Sequence, residues 1–238
     1  MNATELYRAG RLDEAIQALG ADLRANPTDA QRRTFLFELL CFAGEYDRAE
    51  KQLDVLADAS TETEMGALLY RSALHAARTR HQMFADGSLP SSSEPSTPLT
   101  GSLNGRPFSS LTDADPRIGG RLEIFAAGQY TWLPLDKIAS IRIEPPRQLR
   151  DLLWIPAVVK TAEDFQALEL GEVLLPVLTP LASTHPDPEV RLGRVTVWEE
   201  VNGAEVPAGQ RLFLIDDEEV PLLEIRQLEI QPAPAATA

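Results

Sequence analysis

The 238-residue chain has one cysteine, Cys41, so no internal disulfide can staple it. Set among Phe37, Leu40 and Phe42, that thiol reads as a small buried apolar residue rather than a nucleophile, because burial raises a thiol pKa. No apolar run approaches the ~20 residues needed to cross a bilayer, and the N-terminus lacks the basic-then-apolar order of a secretory signal. The expectation is a cytoplasmic protein whose mature chain begins at Met1. Cations are scarce, 22 Lys and Arg against 36 Asp and Glu, for a net charge of −14. That deficit opposes a grip on nucleic-acid phosphates or on anionic lipid and favours a basic or neutral partner surface. Catalytic signatures are missing as well: no Ser, Cys or Thr has a nucleophile setting, and no glycine-rich loop follows a strand. His75 and His81 lie six apart, a poor fit to the i, i+4 spacing of a shared metal, and His185 stands in a proline-bounded loop. No enzyme, cofactor or resident metal is expected.

What is present divides the chain in two. The first part is helical. Asn2-x-x-Glu5 resembles a capping box for a short helix that Gly10 stops, and a second helix runs over residues 12–25 with Ile16, Leu19 and Leu23 on one stripe. Asp29 can cap a third helix that runs to Gly44, and a fourth covers residues 46–56 with Ala49, Leu53 and Leu56 inward. Gly10, Leu12, Ala15 and Leu19 recur 34 residues later as Gly44, Tyr46, Ala49 and Leu53, which is the tetratricopeptide period. The glycine permits a tight turn, the alanine a close helix approach, and the large residues fill between. Thr61-x-x-Glu64 opens a fifth helix, to about Phe84, that would cap a short solenoid. The third helix (RTFLFELLCFAG) is apolar nearly all round, so it is buried on every side or keeps one side for a partner.

The second part alternates. Residues 87–106 are rich in Ser, Pro, Thr and Gly and read as a linker. Beyond it, Leu122, Ile124 and Ala126; Tyr130, Trp132 and Pro134; and Ile141 with Ile143 mark short strands. Further strands are expected over 154–160, 170–178, 195–200, 211–215 and 222–230, with one helical turn over 147–153. The fold class is therefore α+β: a helical repeat domain (1–86), the linker, a β-rich domain (107–230) built as a small bent sheet or partly open barrel, and a frayed tail (231–238).

Two acidic clusters could carry chemistry. Asp113-Ala-Asp115-Pro-Arg117 could hold a divalent cation or a phosphate, which would make the second domain a metal-dependent hydrolase with the repeats as a targeting arm, but the turn reading is favoured. Asp216 to Glu219 reads as the solvated tip of a hairpin. Arg147 and Arg150 beside Asp151 read as a salt-bridged turn. The stronger signal is partner binding. If the first helix of each pair lines a concave groove, Tyr7, Arg8, Gln31, Thr34, Glu38, Cys41, Phe42, Leu68 and His75 face it, a mixed surface suited to an amphipathic helix or extended peptide. The opposing reading packs Phe37 and Phe42 on neighbouring helices or on the second domain, and Phe35 stays unassigned.

Several segments together resemble the ImpE family, also called TagJ. They are the stretch from Phe35 to Glu50, Asp113-Ala-Asp-Pro-Arg117 with Leu122-Glu123, and Pro145-Pro-Arg-x-Leu-Arg-Asp-Leu-x-Trp154. Gly171-Glu-Val-x-Leu-Pro176, Arg191-Leu-Gly-Arg194 and Leu223-Glu-Ile-Arg226 complete the set. The resemblance implies an accessory component of a bacterial type VI secretion system that is not an enzyme. It also implies an adaptor that binds the N-terminal helix of the small contractile-sheath subunit (TssB type) and links sheath turnover to an AAA+ unfoldase (ClpV type).

Overall fold

A computed structural model describes residues 1–58, 61–90, 98–163, 165 and 170–231. The Thr61 side chain of the expected capping box, the middle of the expected linker (91–97) and the tail from 232 on lie outside the described residues.

Helices α1 (Ala3–Arg8), α2 (Leu12–Ala25), α3 (Ala30–Phe42), α4 (Tyr46–Ala57) and α5 (Thr61–Asp86) come first. The capping box forms: the Asn2 side chain accepts from the Glu5 N–H and the Glu5 carboxylate from the Asn2 N–H, both at 2.9 Å. Asp29 caps α3 by accepting from the Arg32 N–H at 2.9 Å. Gly10 and Gly44 turn the chain at φ +73° and +70°, which glycine adopts without steric cost. They are fixed a second time from outside. A Cβ on Gly10 would lie 1.7 Å from Glu189 Oε1, and one on Gly44 would lie 2.7 Å from Ser183 Oγ.

The strands follow. β1 (Thr100–Leu103), β2 (Arg106–Phe108), β3 (Leu111–Asp113), β4 (Arg121–Ala126) and β5 (Gln129–Pro134) precede β6 (Ile138–Ile143), β7 (Trp154–Thr161) and β8 (Glu172–Pro176). After a short helix α6 (Pro188–Arg191) come β9 (Val197–Val201), β10 (Ala204–Ala208), β11 (Leu212–Ile215), β12 (Glu218–Pro221) and β13 (Gln227–Gln231). Eight of them form one antiparallel sheet in the order β2-β1-β13-β6-β7-β8-β4-β5. β12-β11-β3 make a second sheet, and β9 with β10 a ribbon. Both larger sheets are open among the described residues, so the partly open barrel gives way to a large sheet faced by a small one.

Two expectations need correction. The stretch expected as linker contains β1, whose Gly101 pairs between Ile230 and Phe108. Residues 222–230 are not one strand: Leu222–Glu224 turn as a 3-10 helix after Pro221, and the ladder begins at Gln227. Asp216 to Glu219 are exposed at the tip of the β11–β12 hairpin, as expected, and Asp216 there accepts from the Ser109 and Ser110 N–H groups at 2.8 and 2.9 Å, which ties the turn to the β2–β3 connection.

Two apolar cores result, one on each face of the large sheet. Leu122, Ile124, Ile155 and Leu175 meet Phe213 and Ile215 of the small sheet. On the other face Phe125, Trp154 and Leu174 join the helical core of Leu12, Leu39, Leu40, Phe42 and Leu74. β4 therefore has both faces covered, and its first five residues are all buried.

Close packing at Gly101 gives a direct check on β1. A Cβ there would lie 1.9 Å from the Glu229 carbonyl oxygen. Gly101→Ala is expected to destabilise the chain by about 1–3 kcal/mol, as overpacking does. Gly66→Ala, inside α5 with nothing within 4 Å, is expected to stabilise it by about 0.5–1 kcal/mol. Thermal and urea unfolding of the two variants read the contrast, and a neutral Gly101→Ala contradicts the β1–β13 pairing.

Candidate functional site

α1 and α3, the first helices of the two repeats, flank a cleft of about 840 Å³. Tyr7, Arg8, Gln31, Thr34 and Glu38 all line it, together with Phe35 and, from the second half of the chain, Leu149. Tyr7 and Phe35 meet edge to face with ring centroids 5.8 Å apart. The Arg194 guanidinium stands over the Tyr7 ring, 4.8 Å from its centroid. Arg194 also donates to the Tyr7 and Arg8 carbonyls at 2.7 and 3.2 Å, satisfying the open carbonyl end of α1. Asp29 and Arg32 form an ion pair on the rim. At the inner end Glu38 accepts from Arg150 Nη1 at 3.2 Å, and that guanidinium lies 5.0 Å from the centre of the Tyr70 ring. Burial outweighs Arg150 and raises the Glu38 pKa.

Four of the residues expected in the groove are elsewhere. Cys41 and Phe42 are buried in the helical core, and burial holds the Cys41 thiol well above its ordinary pKa. Leu68 and His75 are exposed on α5 and line no part of the cleft. From Glu38 onward the second half of the chain occupies the concave side, which accounts for Cys41 beside Leu153 and Trp154, whereas Leu68 and His75 stand on an exposed face of α5. The turn Leu149–Leu152 and Trp154 pack there, with Phe37 lying 6.5 Å from Trp154 and 5.9 Å from Tyr70 between ring centroids. Phe37 thus meets the second domain, and Phe35 belongs to the cleft.

The Asp113 and Asp115 carboxylates are already engaged. Asp113 accepts from the Asp115 N–H at 2.8 Å and from Arg211 Nε at 2.6 Å. Asp115 takes Arg117 Nε and Nη2 at 2.8 and 2.6 Å, as in the turn reading. Among the described residues no cluster of three or more His, Cys, Asp or Glu could hold a metal.

Sequence reasoning missed the buried charge network beside this turn. Arg80 Nε and Nη2 donate to the two Glu123 carboxylate oxygens at 2.7 Å each, Tyr130 O–H hydrogen-bonds the same carboxylate at 2.5 Å, and Arg211 Nη1 lies 3.5 Å from it. Burial opposes the Glu123 charge, but Arg80 and Arg211 together hold its pKa below the usual range. At Asp113 the balance tips the other way, and burial outweighs Arg211 to push the carboxyl up to about 6. A signal for the network was available: Arg80 shares the helical stripe of Ala73, Ala77 and Phe84.

Residues 105–229 match the family model described as ImpE protein, and residues 6–71 match a tetratricopeptide repeat model. The chain is 32% identical to the type VI secretion system accessory component TagJ of Pseudomonas aeruginosa, over 99% of this chain and 93% of that one. A crystal structure of a Vibrio parahaemolyticus protein matches with a TM-score of 0.83 at 21% identity, covering 99% of both chains, which shows the shared fold.

Two variants test the network. Arg80→Met leaves Glu123 short of its fork and is expected to cost about 3–5 kcal/mol, whereas Arg80→Met with Glu123→Leu is expected to recover much of it. Urea unfolding of the singles and the double measures this. Because Asp113 has a raised folded pKa, its contribution is full below about pH 4 and is lost as pH rises through about 6, by roughly 3 kcal/mol. Stability curves from pH 4.5 to 7.5 are expected to lose that slope in Asp113→Asn.

Proposed function

Because the chain belongs to the ImpE family, we propose that it is a cytoplasmic, non-enzymatic adaptor of a bacterial type VI secretion system. In this reading the cleft between α1 and α3 holds the N-terminal helix of the small contractile-sheath subunit, and the adaptor assists sheath turnover by the AAA+ unfoldase. The observation that carries it is the cleft. It lies on the first helices of both repeats, and it pairs an aromatic anchor, Tyr7 with Phe35, with the exposed polar residues Arg8 and Gln31. An apolar stripe laid on two rings, flanked by hydrogen-bonding groups, is how a groove reads an amphipathic helix. The relative named as a secretion-system accessory component supports the setting. Among the described residues no helix is long and apolar enough to cross a membrane.

The partner contacts proposed are Tyr7, Arg8, Gln31, Thr34 and Glu38. Residues 1–86 present them, and residues 107–230 brace them through Arg194 and Arg150. The brace dictates the test. A fragment ending at residue 86 would expose Phe37, which lies against Trp154, so the full chain is titrated with a peptide of the sheath subunit's first helix. Thr34→Arg, which fills the cleft, and Arg8→Glu, at an exposed site, are each expected to weaken binding about tenfold or more with unchanged thermal stability. Equal affinity for both variants and the parent overturns the cleft as the site.

A further inference from the structure

The repeat array ends half-way through a third unit. α5 stands where a first helix would, and the next described element is β1, so no second helix covers its outer side. The end of α5 is covered by the sheet instead: Arg80 reaches Glu123, and Phe84 lies 6.0 Å from Trp132 between ring centroids. The beginning is bare. Met65, Leu68 and Leu69 are 72%, 63% and 51% exposed. Their i, i+3, i+4 spacing puts them on one face, and three large apolar side chains side by side on a helix surface need a reason.

This face borders a trough. Leu69 and Tyr70 form one wall and Pro156 with Glu172 the other, shared by adjoining cavities of about 390 and 170 Å³. Val158, 40% exposed, extends the apolar lining onto the sheet. None of these residues lines the α1–α3 cleft.

The charges around it point one way. Glu64, next to Met65, and Glu172, across the trough, are exposed and pair with no cation among the described residues. Nearby cations are engaged: Arg71 with Asp54 at 2.8 Å, Arg147 beside Glu144 at 3.9 Å and Arg150 with Glu38. In the trough lining the carboxylates Glu144, Asp151 and Glu172 stand against Arg142 and Arg147, and the chain as a whole carries −14.

We propose that the exposed face of α5 and its trough dock an amphipathic helix with a basic polar side from another protein, supplied in the position of the missing second helix of the third repeat. A second copy of this chain fits poorly, because a two-fold contact would set two acidic rims against each other.

Cys41 is buried and is the chain's only cysteine, so Leu68→Cys gives one reactive thiol for an environment-sensitive fluorophore. The labelled full chain is titrated with a synthetic Leu/Lys amphipathic helix of about five turns and with its Leu/Glu counterpart. The expected result is a saturable blue shift with the Leu/Lys peptide only, weakened about tenfold by Met65→Glu and unchanged by Arg8→Glu in the separate cleft. Three results overturn the proposal: binding of the Leu/Lys peptide without a shift, affinity indifferent to Met65→Glu, and equal binding of the Leu/Glu peptide. A shift produced by the chain alone, with a dimer in light scattering, assigns the face to a second copy and overturns it too.

Discussion

The Arg80–Glu123 pair fixes how the helices sit on the sheet. A planar fork donating to both oxygens of a carboxylate tolerates little rotation or sliding, so one contact sets the register of α5 along β4. The pair is sealed from water and must be balanced locally. Arg80 and Arg211 face Glu123 and Asp113, two cations to two carboxylates, and Tyr130 takes a further oxygen lone pair. Buried ion pairs add little net stability over well-packed hydrocarbon, and their strength lies in rejecting wrong arrangements. The arrangement continues as stacked rings and cations. Phe84 lies within 5.8 Å of the Arg80 guanidinium and 5.0 Å of that of Arg117, while Arg121 sits 4.2 Å from the centre of the Trp132 ring.

With α5 held in this way, the rest of the groove follows. A short solenoid cannot bury its own concave face, and here the second half of the chain does so for the inner part of α3 and α5. Trp154, Leu153 and Leu152 take the place a ligand would take in a longer array. What stays open is the outer end, where α1 and the first turns of α3 extend past the Leu149–Leu152 turn. The cleft is thus a remnant of the groove, bounded by the Glu38–Arg150 contact. Arg194 and Arg191 brace it from the far side, Arg191 pairing with Asp13 at 2.7 Å.

Helical periodicity made the repeats legible, since the glycine, alanine and leucine spacing at 34 residues is dictated by helix-pair geometry. The central strands were legible for the same kind of reason, because apolar residues at every second position in Leu122 to Ala126 and Gln129 to Pro134 report a strand with one buried face, although the cover on the other face of β4 was not legible. β1, β2 and β3 were not. Each has three or four residues and stands among Ser, Thr and Gly, and β1 makes its case through partners distant in sequence, Ile230 and Leu228. The cleft was half legible. Repeat register put Tyr7, Gln31, Thr34 and Glu38 on one side, where they line one cleft, but the same register carried on to Cys41, where the sheet intervenes, and to Phe42, which is buried in the helical core. The uniform apolarity of α3 said that it would be covered all round, and no pattern within α3 could say that Trp154 would be among the residues covering it. Arg80 was hidden for the converse reason: a charge on an apolar stripe reads as an exception until its partner on β4 is known.

An adaptor's usefulness depends on what lies between its binding faces as much as on the faces. The α1–α3 cleft and the trough beside α5 stand on opposite ends of the helical array, each built partly from the second half of the chain: Leu149 in one, Pro156 and Val158 in the other. Both ends are therefore referred to the same sheet. Two helices bound at sites held by one rigid body meet with an effective concentration set by geometry rather than by a flexible tether, which is lost when the joint between the halves loosens. On this argument the buried network belongs to function as well as to folding. Together with the Arg150, Arg191 and Arg194 braces it joins the helices to the second half of the chain, and its cost in desolvated charge is understandable where the spacing of the two proposed faces has to be specific.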